Sequence, residues 1–174
     1  MWYLAYGSNM ESGTLRGRRG ITVTRAVAVH VPGWRVVFDK PPLFPIGEAF
    51  ANIVADPGAE ALGVVFEVSA DDLAHIELSE GVPIGNYRRV ELRVEPLVAC
   101  PDAPLTAVSL ATDRLRPSTR YMELLISGAL EHGLPAEYVE ALWAVPTVEP
   151  SATARALRPL IDAAMHGLRR SRPS

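Results

Sequence analysis

The chain has 174 residues, enough for one domain with a sizeable core and too few for two independent domains of ordinary size. Hydrophobic residues make up 48% and charged residues 21%, which excludes wholesale disorder, and a net charge of −3 gives no reason to expect a nucleic-acid partner. Cys100 is the only cysteine, which excludes an intrachain disulfide and a thiolate metal cluster.

Neither a membrane span nor a signal peptide is expected. No segment approaches the ~18 apolar residues that a membrane-spanning helix needs. The chain opens Met-Trp-Tyr-Leu-Ala-Tyr, without the basic region and long apolar run of a signal peptide. We therefore expect a cytoplasmic protein without a membrane partner.

The first 68 residues have the composition of strands separated by turns. Strands are predicted over residues 2–6, 21–31, 34–38, 50–55 and 61–68. Pro32-Gly33 and Asp56-Pro57-Gly58 are predicted turns that end strands, and residues 39–49, with their three prolines, predict a loop. Residues 61–68 are largely apolar, which is typical of a strand buried on both faces.

A helix is predicted next. Ser69 suits its N-cap, with acidic residues in the first turn, and Gly81 suits its end, so Glu80 should lie at the helix C-terminus. Apolar and charged residues then alternate over 90–94, which predicts a strand with one wet face. Residues 105–111 are predicted to be its partner.

The last third is predicted to be helical. One helix carries Tyr121 and ends at Gly133, and Pro135 suits the first turn of another. A third helix is indicated by an apolar stripe of Leu157, Leu160, Ile161, Ala164, Met165 and Leu168. Pro159 lies within this stripe, so the helix should start late or kink. The stripe could pack on its own domain or on a second subunit, so a monomer and a homodimer both stay open.

The Tyr6-Gly7-Ser8-Asn9 segment is the first candidate for chemistry. A glycine after a strand lets the backbone curl, so that successive N–H groups point into a common space and can hold a carboxylate or an oxyanion. The alternative is an ordinary strand-to-helix turn with Ser8 or Asn9 as N-cap.

Glu80 is the second candidate. A carboxylate at a helix C-terminus faces the negative end of the helix dipole, which suits a general base. The alternatives are a solvated glutamate at a helix end, or Glu77 as the acid on the same face.

Tyrosines are the third candidates, because Tyr3, Tyr6, Tyr87 and Tyr121 could offer hydroxyls to a polar substrate, or simply pack in the core. The four histidines lack metal-ligand spacing, so no metal site is expected. No nucleotide-binding glycine motif is present.

Four blocks in order resemble the γ-glutamylcyclotransferase family over residues 2 to about 145. These blocks are Tyr3-Leu4-Ala5-Tyr6-Gly7-Ser8-Asn9-Met10; Gly63-Val64-Val65-Phe66 followed by Ser79-Glu80-Gly81-Val82; Tyr87 seven positions after Glu80; and Pro117-Ser118-Thr119-Arg120-Tyr121 followed by Gly133-Leu134-Pro135 and Tyr138. Related sequences carry a glycine pair where this chain reads Glu48-Ala49-Phe50, so the loop from Asp39 to Phe50 should shape a different leaving-group pocket.

The resemblance implies an α+β fold, with a mixed, mostly antiparallel sheet curled into a small barrel and surrounded by helices. We expect one such domain over residues 1–170 and a polar tail over 171–174. It implies that Glu80 is the catalytic acid/base, and that a γ-glutamyl substrate is bound by Tyr3, Leu4, Ala5, Tyr6, Gly7, Ser8, Asn9, Tyr87 and Tyr121.

The implied activity is that of a lyase or acyl transferase. It cyclises the γ-glutamyl group of an amino acid, peptide or amine derivative to 5-oxoproline, as in glutathione metabolism, and needs no cofactor. Two alternatives stay open: a non-catalytic module that binds a γ-glutamyl compound or another small metabolite, and a natural-product enzyme that removes a γ-glutamyl protecting group.

Overall fold

The computed structural model describes residues 1–42, 48–97 and 115–170, with the backbone alone for 164–170. The strands are β1 (Trp2–Ala5), β2 (Val23–Lys40), β3 (Phe50–Val68) and β4 (Glu95–Pro96). The helices are α1 (Ala70–Ser79), α2 (Thr119–Glu131), α3 (Ala136–Trp143) and α4 (Ala152–Arg170). Three shorter helical turns are Ser8–Met10, Gly13–Arg18 and Val82–Ile84.

The four strands form one sheet in the order β1-β3-β2-β4, and every neighbouring pair is antiparallel. The α+β class and the largely antiparallel sheet are therefore confirmed. Closure into a barrel is wrong for the described residues, because β1 and β4 lie at opposite edges and do not pair with each other. Within the ranges that the structure describes, the one parallel pairing, between Ser118 and Val148, is an isolated bridge outside the sheet.

Two predicted turns lie inside continuous strands. Pro32-Gly33 does not end β2, and Asp56-Pro57-Gly58 does not end β3. Instead the register jumps from Trp34↔Ala55 to Pro32↔Glu60, so the turn residues form an irregularity within one long ladder. Turn-forming residues are typical of such bulges as well as of chain reversals, so sequence alone does not separate the two.

The buried strand and the first helix match their predictions. Residues 61–66 of β3 are all buried, as expected for a strand covered on both faces. Ser69 caps α1 by accepting a hydrogen bond from the Asp72 N–H at 3.0 Å. Glu80 is the C-cap, and Gly81 follows with φ +73, the left-handed conformation that favours glycine.

The strand predicted over residues 90–94 is wrong, because pairing with β2 begins only at Glu95. Leu92 and Val94 are half-buried against the core, so their alternation reflects one-sided burial and not a ladder. The predicted partner strand over 105–111 and Cys100 lie outside the described residues.

The two middle helices follow the sequence pattern. Gly133, at φ +66, follows the C-cap of α2, and Pro135 is the N-cap of α3. The last helix starts earlier than predicted, at Ala152, because Ser151 accepts a hydrogen bond from the Ala154 N–H at 3.0 Å and begins it there. It runs through Pro159, and Leu160 on its predicted apolar stripe is 67% exposed.

The core lies between the sheet and the helices α1, α2 and α3. Its largest fully buried apolar side chains include Phe38, Phe66, Leu125 and Leu142. No helix in the described part of the chain is both long and apolar enough to cross a membrane.

Candidate active site

Glu80 stands where α1 ends, and its carboxylate points toward the turn that follows β1. The Asn9 amide Nδ2 donates to Glu80 Oε1 at 3.1 Å, across 71 residues of sequence. The carboxyl group and the bend after the first strand therefore border the same space. Glu80 is half-buried, with 27% of its side chain exposed, so the carboxylate stays reachable from outside.

A second donor holds the same oxygen. Arg19 places its guanidinium Nη2 at 2.7 Å from Glu80 Oε1, and only 8% of the arginine side chain is exposed. Arg19 also donates to the Ser79 hydroxyl, one residue before Glu80. Among the described residues no hydrogen-bond or ion-pair partner reaches Glu80 Oε2. One oxygen is thus anchored twice while the other is available to accept a proton.

Asn9 connects Glu80 to the first strand. Its Nδ2 also donates to the Tyr3 hydroxyl at 2.8 Å, so both amide hydrogens are used. Asn9 is buried and lies in the short helical turn of residues 8–10, which Met10 closes by donating to the Gly7 carbonyl at 3.0 Å. The N-cap of this turn is Gly7, and neither Ser8 nor Asn9 takes that position. The leading N–H groups of such a turn have no intrahelical acceptor.

Two more tyrosines meet at Ala51 on β3. The Ala51 N–H donates to the Tyr121 hydroxyl at 3.1 Å, and the Ala51 carbonyl accepts from the Tyr87 hydroxyl at 3.1 Å. The Phe50 ring packs edge-on against the Tyr121 ring, with centroids 4.9 Å apart. Strand β3 therefore fixes both phenols beside the bend that contains Gly7.

Burial raises the pKa of each tyrosine in this group. Loss of hydration is the largest cause for Tyr3, Tyr6 and Tyr87, and the pKa of each lies well above the ordinary value of a phenol. Loss of hydration also raises the pKa of Tyr121 to about 12, while hydrogen bonds from Ala51 and Ser8 oppose the rise. The negative charge of Glu80 is a further cause of the raised pKa of each of these four tyrosines.

The remaining predicted binding residues contribute little polar chemistry through their side chains. Ala5 is buried and Leu4 packs against the core, and both belong to the β1 ladder with β3. The rival acid Glu77 pairs instead with Arg89, at 2.5 Å, on the outer side of α1.

Arg19 is the site residue that the sequence did not indicate. It stands in a run of arginines after Met10, and nothing in its spacing marks it as buried. Within the described ranges, no group of three histidine, cysteine, aspartate or glutamate side chains could hold a metal ion.

Known proteins are similar in sequence to this chain over most of its length. A model of the AIG2-like family matches residues 60–142. The gamma-glutamyl cyclotransferase aclK of Aspergillus oryzae is 35% identical over 162 residues, which are 80% of this chain and 59% of that relative's length. The gamma-glutamylcyclotransferase of Mus musculus is 32% identical over 153 residues, which are 82% of this chain and 77% of the mouse protein.

Solved structures of similar proteins have the same fold. A solved structure of a gamma-glutamyl cyclotransferase superposes with a TM-score of 0.68 at 25% identity, covering 93% of this chain and 98% of that one. The molecule thus has the α+β architecture of the γ-glutamylcyclotransferase-like proteins. Because the mouse relative is 32% identical and 77% of its length is matched, the chain belongs to the γ-glutamylcyclotransferase family.

Proposed function

We propose that this protein converts a γ-glutamyl amino acid, peptide or amine into 5-oxoproline and the free amine, with Glu80 as the catalytic acid/base. The observation that carries the proposal is the Glu80 carboxylate, anchored by Asn9 and Arg19 through Oε1 while Oε2 is unpartnered among the described residues. A carboxylate that serves only to stabilise the fold has no need of an oxygen that is left without a partner.

The reaction is an intramolecular aminolysis. The α-amine of the γ-glutamyl group attacks its own γ-carbonyl carbon, forming the ring C–N bond, and the proton it loses passes to Glu80 Oε2. The original amide C–N bond then breaks as Glu80 returns that proton to the departing nitrogen. Because both reacting groups are in one molecule, the enzyme's main task is to fold the substrate into a reactive shape. Glu80 takes up one proton and returns it within the same reaction, so the step calls for no cofactor.

The aromatic residues suit the binding of the γ-glutamyl group. Phenols are protonated at neutral pH, so the Tyr3 and Tyr121 hydroxyls can each donate to an anionic or carbonyl oxygen, and their raised pKa values extend this to alkaline pH. Both accept hydrogen bonds from the protein, which orients the remaining proton. The N–H groups of residues 7–9 are the further donors in this proposal, for the substrate carboxylate or the γ-oxyanion.

Glu80→Gln tests the proposal. With a panel of γ-glutamyl compounds and an assay for 5-oxoproline, we expect wild-type turnover and a loss of about 10²–10⁴-fold in kcat in the variant, because general acid/base catalysis contributes that much. Glu77→Gln is the matched control, since Glu77 lies on the same helix and pairs with Arg89 at the surface. Circular dichroism should be unchanged in both. Tight binding of one compound without turnover by the wild type would favour a non-catalytic binding module instead.

The family resemblance alone extends this proposal further. It suggests a cytoplasmic location, a role in glutathione metabolism and a monomeric or homodimeric state.

A further inference from the structure

A cavity of about 320 Å³ opens beside the candidate active site. Tyr6 and Tyr87 line it and also belong to the group of tyrosines around Glu80. Trp34 and Asn52 form other parts of its wall. The cavity therefore shares two side chains with the proposed γ-glutamyl site.

Asn86 links Lys40, in the cavity wall, to the backbone of Glu80 by hydrogen bonds. Its Nδ2 donates to the Glu80 carbonyl at 2.9 Å, and its Oδ1 accepts from Lys40 Nζ at 2.6 Å. Gly81 allows this arrangement, because its left-handed backbone turns the chain so that the Asn86 side chain lies against it. Lys40 is thus held two hydrogen bonds away from the backbone of the proposed acid/base residue.

Two cationic side chains line this cavity. Lys40, the chain's only lysine, also lies 5.1 Å from the centre of the Tyr87 ring, which holds its ammonium in place. Arg88 adds an exposed cation, and no carboxylate is among the described residues that line the cavity. The nearby Asp39 accepts a hydrogen bond from Asn52 at 3.1 Å instead. A lysine ammonium has three N–H donors, so the bond to Asn86 leaves two for a ligand.

We infer that Lys40 is a specificity-determining residue, which binds a carboxylate carried by the leaving amine. The inference rests on the proposed function: the departing nitrogen must lie beside Glu80 to receive its proton, so its substituent extends into the neighbouring cavity. A lysine ammonium in the wall of that cavity selects γ-glutamyl derivatives of amino acids or peptides over those of neutral or cationic amines.

Two substrates that differ only in the carboxylate test this inference. γ-Glutamylalanine and γ-glutamylethylamide have the same carbon skeleton around the departing nitrogen, and the ethylamide lacks the carboxylate. We expect the wild type to prefer γ-glutamylalanine in kcat/KM by about tenfold or more, the magnitude of one charge-assisted hydrogen bond. Lys40→Met should abolish the preference, mainly through KM, while turnover of the ethylamide changes by less than about threefold. Lys40→Arg should retain it.

Arg25→Met is the matched control, because Arg25 is on the same strand and also lies over an aromatic ring, Trp2, at 5.9 Å, yet does not line the cavity. Equal kcat/KM for both compounds in the wild type, or an equal loss on both in Lys40→Met, would overturn the inference and leave the proposed activity standing. Absence of turnover with any γ-glutamyl compound would overturn the proposed activity. Calorimetric binding of the two compounds to wild type and Lys40→Met would then decide the role of Lys40 on its own.

Discussion

The orientation of the Glu80 carboxylate depends on a side chain from a distant part of the sequence. Arg19 follows the helical turn Gly13–Arg18 and is almost fully buried, so solvent reaches its ion pair with Glu80 only from the glutamate side. Arg19 touches neither a substrate group nor the free oxygen in the proposed mechanism. It is therefore a positioning residue that keeps Oε2 turned toward the reacting amine.

Arg19→Met should lower kcat by about 10- to 100-fold with little change in KM, because misplacing a catalytic group by a short distance costs that much. Arg19→Lys should restore part of kcat, since it retains the charge but not the planar fork. Kinetics with a γ-glutamyl substrate are the measurement. Arg16→Met, at an exposed position of the same segment, should behave as wild type. An Arg19→Met enzyme with unaltered kcat would show that Asn9 alone orients the carboxylate.

Glu80 and Arg19 also show what a sequence can reveal at the scale of a residue. Glu80 could be located because it stands between a helix pattern and a glycine, in an order of blocks that resembles a known family. Arg19 is one of several arginines on a polar stretch, and its burial results from packing against Ser79 and Glu80, some 60 residues away. No local pattern encodes such a contact.

At the scale of elements, helix α2 is pressed against the turn that contains Asn9. A Cβ atom on Gly128 would lie 2.7 Å from the Met10 carbonyl carbon and 2.7 Å from the Glu11 nitrogen, both backbone atoms. Only glycine allows this approach, and the contact fixes the position of the turn from which Asn9 reaches Glu80.

Gly128→Ala should therefore destabilise the protein by about 1–3 kcal/mol, the typical cost of overpacking, although alanine is the better helix former by about 1 kcal/mol. Turnover of a γ-glutamyl substrate should fall as well, because the displaced backbone carries Asn9. Urea unfolding and the 5-oxoproline assay measure the two effects. Gly17→Ala is the control, since no atom lies within 4 Å of its added methyl group. Equal stability of Gly128→Ala and wild type would contradict this close packing.

Elements were predictable where local chemistry decides them. Ser69 and Gly133 mark helix ends through hydrogen bonding and backbone conformation, which sequence encodes directly. The Pro32-Gly33 segment misleads because proline and glycine suit both a bulge and a reversal, and the partner strand decides between them. Strand pairing is a long-range property, which also explains why the sheet order and its open edges could not be read from the pattern.

At the scale of the whole molecule, all five tyrosines are partly or fully withdrawn from water. Four are half-buried (Tyr3, Tyr6, Tyr87 and Tyr121), and the fifth, Tyr138, is fully buried in the core. Loss of hydration raises the pKa of every one, to about 12 for Tyr121 and further for the others. The folded protein therefore retains phenol protons at a pH where an unfolded chain, with tyrosine pKa values near 10, releases them.

This difference predicts alkaline unfolding. Because the folded-state pKa values are raised, the stability they contribute is complete below about pH 10 and is lost as the pH rises through the folded values. Each tyrosine lowers the free energy of unfolding by up to about 1.4 kcal/mol per pH unit in that range. With five acting together, the protein should unfold cooperatively within one or two pH units above 10. Tyrosinate absorbance and far-ultraviolet circular dichroism should then change in a single coincident transition. Tyrosinate absorbance that rises gradually near pH 10 in a chain that is still folded would show that the phenols stay hydrated in the folded protein, and would contradict the raised pKa values.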